Sequence, residues 1–76
     1  MNIKLMDIIK KYLKAPEYKI TSKANIIDDF SVDSLDKVEL IMAIEDEFKI
    51  SITDNQVEKI KIIQDLIDLV PEKYRH

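Results

Sequence analysis

The sequence predicts an all-α fold, a small four-helix bundle of three longer helices and one short helix. Three observations predict it. Apolar residues recur at helical spacing in three separate segments, glycine is absent from all 76 residues, and only two prolines interrupt the chain. The length suits one domain, residues 1–76, with a single core. Lack of glycine removes the usual residue for a phosphate-cradling loop or tight hairpin, which excludes a P-loop or a dinucleotide-binding fold. Lack of cysteine excludes a disulfide framework and a thiolate zinc site.

The first helix is expected from about Ile3 to Lys14, where Leu5, Ile9 and Tyr12, with Met6 and Leu13, share a face while Lys10, Lys11 and Lys14 point elsewhere. Pro16 stops it, lacking an N–H and restricting Ala15. The connection that follows, to about Val32, holds Tyr18, Ile20, Ile26, Ile27 and Phe30, enough apolar surface to lie packed over the bundle. The second helix, Ser34 to Phe48, is the most strongly patterned. Val38, Ile41, Ile44 and Phe48 form its apolar face, and Asp36, Glu39, Asp46 and Glu47 cluster on another with Ala43. Leu35 and Met42, seven apart, sit beside that acidic cluster and outside the core stripe. The third helix is short, about Asp54 to Ile60, and Thr53 with Gln56 has capping-box spacing. The fourth, about Ile62 to Val70, points Ile63, Leu66, Ile67 and Val70 inward and is ended by Pro71. Ile50 and Ile52 alternate with polar residues over too short a run for a strand.

Charge is unevenly placed. Residues 1–25 carry six lysines against Asp7 and Glu17, while residues 26–60 carry ten acids against Lys37, Lys49 and Lys59. An acidic centre argues against nucleic acid as a partner and for proteins with basic docking patches. No apolar run reaches the ~20 residues that span a bilayer, so stable membrane insertion is not expected, and the chain reads as cytoplasmic, or as the organelle equivalent after removal of any targeting segment. Self-repulsion of the acidic helix favours a monomer. Asp28, Asp29 and Asp33 lack EF-hand spacing and read as solvated acids, so no metal site is expected. The N-terminal lysines read as a solvated helix face, and His76 as a frayed end.

Ser34 stands between Asp33 and Asp36 at the mouth of the second helix, where three readings compete. Asp and Ser are both preferred N-cap residues. A serine nucleophile needs an adjacent base and an oxyanion hole, and the only histidine is the last residue, so catalysis by this chain is rejected. A serine modified by another enzyme needs only an exposed hydroxyl held by local geometry, beside a recognition surface such as the acids with Leu35 and Met42.

The run Phe30-Ser31-Val32-Asp33-Ser34-Leu35-Asp36-Lys37-Val38-Glu39-Leu40, with Met42-Ala43-Ile44-Glu45-Asp46-Glu47-Phe48, resembles the acyl carrier proteins of type II fatty acid synthesis. The likeness continues through Ile52-Thr53-Asp54, Glu58-Lys59-Ile60, Asp65, Ile67 and Asp68, and is close over residues 24–70. The D-S-L triplet is weak alone, whereas D-S-L-D-x-V-E-L with E-x-E-F at this distance is a family-level signature.

The resemblance implies a 4'-phosphopantetheine arm, transferred from coenzyme A to Ser34 as a phosphodiester by a phosphopantetheinyl transferase (holo-carrier synthase), with Asp33 supporting that modification. The arm's thiol would do thioester chemistry for a cysteine-free chain. The resemblance further implies that Leu35, Asp36, Glu39, Met42, Glu45, Asp46 and Glu47, extended by Asp54 and Glu58, dock fatty acid synthesis enzymes with basic patches. Phe30, Val38, Leu40, Ile44, Ile52, Val57, Ile60 and Ile67 would line or border an acyl-chain cleft, although core packing accounts equally for these apolar positions.

The family usually places glycine where this chain has Ser31, and leucine where it has Phe30. A need for positive φ at Ser31 would cost stability or shift the loop. This departure favours, as alternatives to a fatty acid carrier, a specialised carrier for another acyl, polyketide or aminoacyl group. An unmodified protein-interaction bundle that keeps the docking helix is the remaining reading.

Overall fold

The computed structural model describes residues 2–74 and is all-helical, as the periodicity predicts. The expectation for His76 falls outside these residues. Helix α1 spans Ile3–Leu13, α2 Ser34–Phe48, α3 Asp54–Lys59 and α4 Ile63–Leu69, with single 3-10 turns at Glu17–Lys19 and Glu72–Tyr74. Among the described residues no helix is long and apolar enough to cross a membrane.

Each helix begins where a side chain or a neighbouring strand of backbone takes up its free amides. The Asn2 side chain accepts from Lys4 N–H and Leu5 N–H at 2.8 and 3.3 Å, starting α1. Thr53 and Gln56 form the expected capping box at α3. Helix α4 has an apolar residue, Ile62, at its cap and solves the problem differently. Its Ile63 and Gln64 amides donate to the carbonyls of Ala24 and Ser22 at 3.0 and 2.8 Å, while the Asp65 carboxylate accepts from Lys61 and Ile62. With Ile26 N–H donating to Lys61 C=O at 2.9 Å, these bonds lay the long connection across the start of α4. The apolar residues of the connection follow: Ile20, Ala24 and Ile26 are buried and Phe30 is half-buried. Tyr18 is the exception, 78% exposed on the 3-10 turn, so it does not join the packed cover.

The core joins Leu5, Ile9 and Leu13 of α1 to Leu40, Ile41, Ile44 and Phe48 of α2 and to Ile63, Leu66 and Val70 at α4, closed by Ile26 and Ile60. Met6, Tyr12 and Ile67 pack half-buried at its margin. One position differs from the apolar face read in the sequence. Val38 is 39% exposed, and Leu40 is buried in its place. At about 100° per residue, the stripe that holds Ile41, Ile44 and Phe48 runs back through position 37, so Val38 sits on the stripe's edge. The residue aligned with the core in the first turn of α2 is therefore a lysine.

A glycine-free chain still has to turn through the left-handed region. It does so at Lys14 (φ 52°), Ser31 (φ 54°) and Lys49 (φ 56°). Lys14 and Lys49 terminate α1 and α2, where glycine is the common choice. Ser31 lies in the loop that delivers the chain to α2.

Candidate functional site

The entry to α2 settles which residue is the cap. The Asp33 carboxylate accepts from Asp36 N–H at 3.0 Å, and the Asp36 carboxylate accepts in return from Asp33 N–H at 3.2 Å. This reciprocal pair satisfies the helix start without Ser34. Ser34 is the first helical residue, exposed, and its hydroxyl has no hydrogen-bond partner among the described residues. Capping is thus the task of Asp33, and the hydroxyl beside it is held by rigid backbone at the helix's positive end. The loop before it passes through the left-handed φ of Ser31, the conformation for which glycine would be the ordinary residue.

Beyond Ser34, α2 presents an exposed apolar line, Leu35, Val38 and Met42, 62%, 39% and 57% exposed. Glu39, Asp46 and Glu47 lie on the α1 side of that line. With Met42, Ile8 and Tyr12 they line an open groove of about 670 Å³ between α1 and α2. Asp54 and Glu58 are exposed on α3. The two remaining acids of the expected docking set also do structural work. Asp36 is committed to the capping box. Glu45 is half-buried, and its carboxylate accepts from Ile52 N–H at 2.8 Å.

Of the residues expected to border a cleft, Leu40, Ile44 and Ile60 are fully in the core, and Phe30, Ile52, Val57 and Ile67 pack half-buried against it. Val38 lies outside on the exposed line. Ile60 also lines a smaller cavity of about 190 Å³ with the 25–28 turn, Lys37 and Lys61. That turn is built by Asn25, whose side-chain oxygen accepts from Ile27 N–H and Asp28 N–H at 3.0 and 2.9 Å, and by Asp29, which accepts from Asn25 N–H at 2.6 Å. Burial pulls the Lys37 ammonium below the usual lysine range; Lys61 adds to that, and the carboxylates of Asp65 and Glu58 oppose it. Sequence reasoning gave Lys37 no place in the site. Its spacing of four, seven and eleven residues from Ile41, Ile44 and Phe48 is the signal that points it inward.

The chemistry available here is that of an acceptor. A lone exposed hydroxyl on a capped helix start fits a group added from outside, and among the described residues no side chain hydrogen-bonds it to make it a nucleophile unaided. Similarity to known proteins agrees. The family model for a phosphopantetheine attachment site matches residues 4–70. The chain is 49% identical over 70 residues to an acyl carrier protein of Buchnera aphidicola subsp. Schizaphis graminum, covering 92% of this chain and 89% of that one. It is 46% identical over 66 residues to an acyl carrier protein of Caulobacter vibrioides, covering 87% and 85%. An acyl carrier protein of Syntrophobacter fumaroxidans is 43% identical over 68 residues, covering 90% and 84%. An acidic helix that begins on an unbonded serine, in a chain matched over most of its length, places this protein in the acyl carrier protein family, built around the attachment of phosphopantetheine.

Proposed function

We propose that the chain carries acyl groups for fatty acid synthesis on a phosphopantetheine arm attached to Ser34, working as a soluble cytoplasmic monomer. The observation that carries the site is the division of labour at the helix start, where Asp33 makes the cap and leaves the Ser34 hydroxyl unbonded. In the attachment, the serine oxygen bonds to the phosphorus of coenzyme A that bears the pantetheine. The pyrophosphate bond breaks, adenosine 3',5'-bisphosphate leaves, and the transferase takes the hydroxyl proton. The arm's terminal thiol then supplies thioester chemistry. Asp33 supports modification through its charge as well as through its cap.

Docking falls to the exposed line of Leu35 and Met42 with Glu39, Asp46 and Glu47, helped by Asp54 and Glu58. Individual exposed ion pairs contribute only about 0–1 kcal/mol, which suits a carrier that must leave each partner quickly. Basic patches on the transferase and the synthesis enzymes are the complementary surface. The half-buried Phe30, Ile52, Val57 and Ile67 border the space into which an acyl chain would enter, displacing side chains around Leu40, Ile44 and Ile60.

A second reading, a carrier dedicated to another acyl, polyketide or aminoacyl group, is favoured by the left-handed serine at position 31. Intact mass before and after incubation with coenzyme A and a broad-specificity phosphopantetheinyl transferase tests the attachment. A gain of one phosphopantetheine, mapped to Ser34 and absent from Ser34→Ala, is the expected result. An unmodified wild-type chain beside a working control carrier would overturn it. Loading assays across acyl donors then separate the two cargoes.

A further inference from the structure

Lys37 is an anomaly on α2. It occupies the core-facing register of the first turn, where Ile41, Ile44 and Phe48 occupy later turns, and it lines the cavity of about 190 Å³. A second cation, Lys61, lines the same cavity beside Ile60. Neither ammonium makes an ion pair among the described residues. Three carboxylates are near. Asp65 is already engaged by the Lys61 and Ile62 amides, Glu58 is exposed on α3, and Asp28 lies in the 25–28 turn that forms the cavity wall. Burial weakens the hold of the Lys37 ammonium on its proton, and the charge of Lys61 weakens it further. An anion fixed between the two lysines would offset both effects.

The position of Ser34 indicates which anion. Residues three apart on a helix have Cβ atoms about 5–6 Å from one another, and helical side chains lean toward the N-terminus. Lys37 therefore leans back over the turn that starts at Ser34. We infer that Lys37 and Lys61 form a seat for the phosphodiester of the arm on Ser34, with the pantetheine chain lying in the cavity between the 25–28 turn and Ile60. The inference rests on the Ser34 attachment proposed above and adds two residues to it. Two cations on separate segments make a directional seat, because an arm pointing away from the cavity loses both. Ile26, Ile27 and Ile60 supply the apolar wall for the pantetheine's geminal methyl groups.

The test uses the modified full chain, with the mass gain at Ser34 established beforehand, so that failure of attachment is seen separately from failure of the seat. NMR on isotope-labelled protein then reads two things. NOEs from the pantetheine methyls to Ile26, Ile27 and Ile60 are expected. The Lys37 ammonium should titrate higher in the modified chain than in the unmodified one, since an opposite charge now stands beside it. In Lys37→Gln and Lys61→Gln, each shown to be folded by circular dichroism, the NOEs should weaken and the phosphorus line should narrow as the arm frees. Lys59→Gln, an exposed lysine outside the cavity, should leave both unchanged. A modified wild-type chain with no such NOEs and an unaltered Lys37 titration would overturn the seat. So would NOEs that persist undiminished in both lysine variants.

Discussion

The Glu45 carboxylate reaches past the end of its own helix and accepts the backbone amide of Ile52 at 2.8 Å. The chain returns within reach because Lys49 is left-handed and Ile50 N–H bonds back to the Glu45 carbonyl at 3.1 Å. One residue thus holds the turn between α2 and α3 with both its main chain and its side chain. Removing the carboxylate in Glu45→Ala leaves a half-buried amide short of its charged acceptor. A loss of about 1–2 kcal/mol is expected in urea unfolding. Glu39→Ala and Asp46→Ala, whose side chains are exposed, should stay within about 0.5 kcal/mol of the parent. Partner affinity should respond in the opposite pattern, falling for Glu39 and Asp46 with little change in fold stability.

Ser31→Gly and Lys49→Gly should each stabilise the chain. Left-handed backbone costs a side-chain-bearing residue about 1–2 kcal/mol, of which glycine's larger freedom when unfolded takes back a part. A net gain of about 0.5–1 kcal/mol at each site is expected from the urea midpoint. If Ser31 tunes transferase or cargo choice, Ser31→Gly will also change the modification rate, whereas Lys49→Gly will not.

At the helix start, cap and charge can be separated. Asp33→Ala should cost about 1 kcal/mol through loss of the cap, while Asp33→Asn keeps a capping oxygen and should cost less. A folded Asp33→Asn chain that the transferase modifies several-fold more slowly than the parent would show that the carboxylate's charge serves modification. Equal rates would leave Asp33 with its cap alone. Ser34→Ala should remain within about 0.5 kcal/mol of the parent, because its hydroxyl makes no bond in the fold.

Lys37 gives the unmodified chain a dependence on alkaline pH. Its folded pKa lies below the unfolded value of 10.5, so between the two values the unfolded chain holds more protons and stability rises with pH. Relative to a neutral residue at this position, the lysine's deficit is complete below the folded pKa and shrinks as pH approaches 10.5. The stability difference between Lys37→Gln and the parent, measured by urea unfolding from pH 7 upward, should therefore narrow with increasing pH.

Helix spans were legible because their ends are written locally. Asp33 and Asp36, Thr53 and Gln56, and the prolines at 16 and 71 mark starts and stops within a few residues. The place of Ser34 at the start of α2 was legible through the pattern around it. What local pattern could not give is where distant backbone goes. The amides of α4 are satisfied by carbonyls at Ser22 and Ala24, a pairing that leaves no mark on either segment's side chains. Glu45 read as one more surface acid because its partner is a main-chain amide, which every residue but proline offers. Val38 reads as core because an apolar residue three positions before Ile41 satisfies a helical period as well as one four before it does. The position four before Ile41 is a lysine, which carries no apolar signal.

Because Asp33 holds the helix and Ser34 holds nothing, the backbone at this site has the same bonds to keep whether or not the neighbouring oxygen is esterified. A group added at Ser34, as proposed above, would then come and go on a single folded chain, with no unfolding step imposed by the carrier.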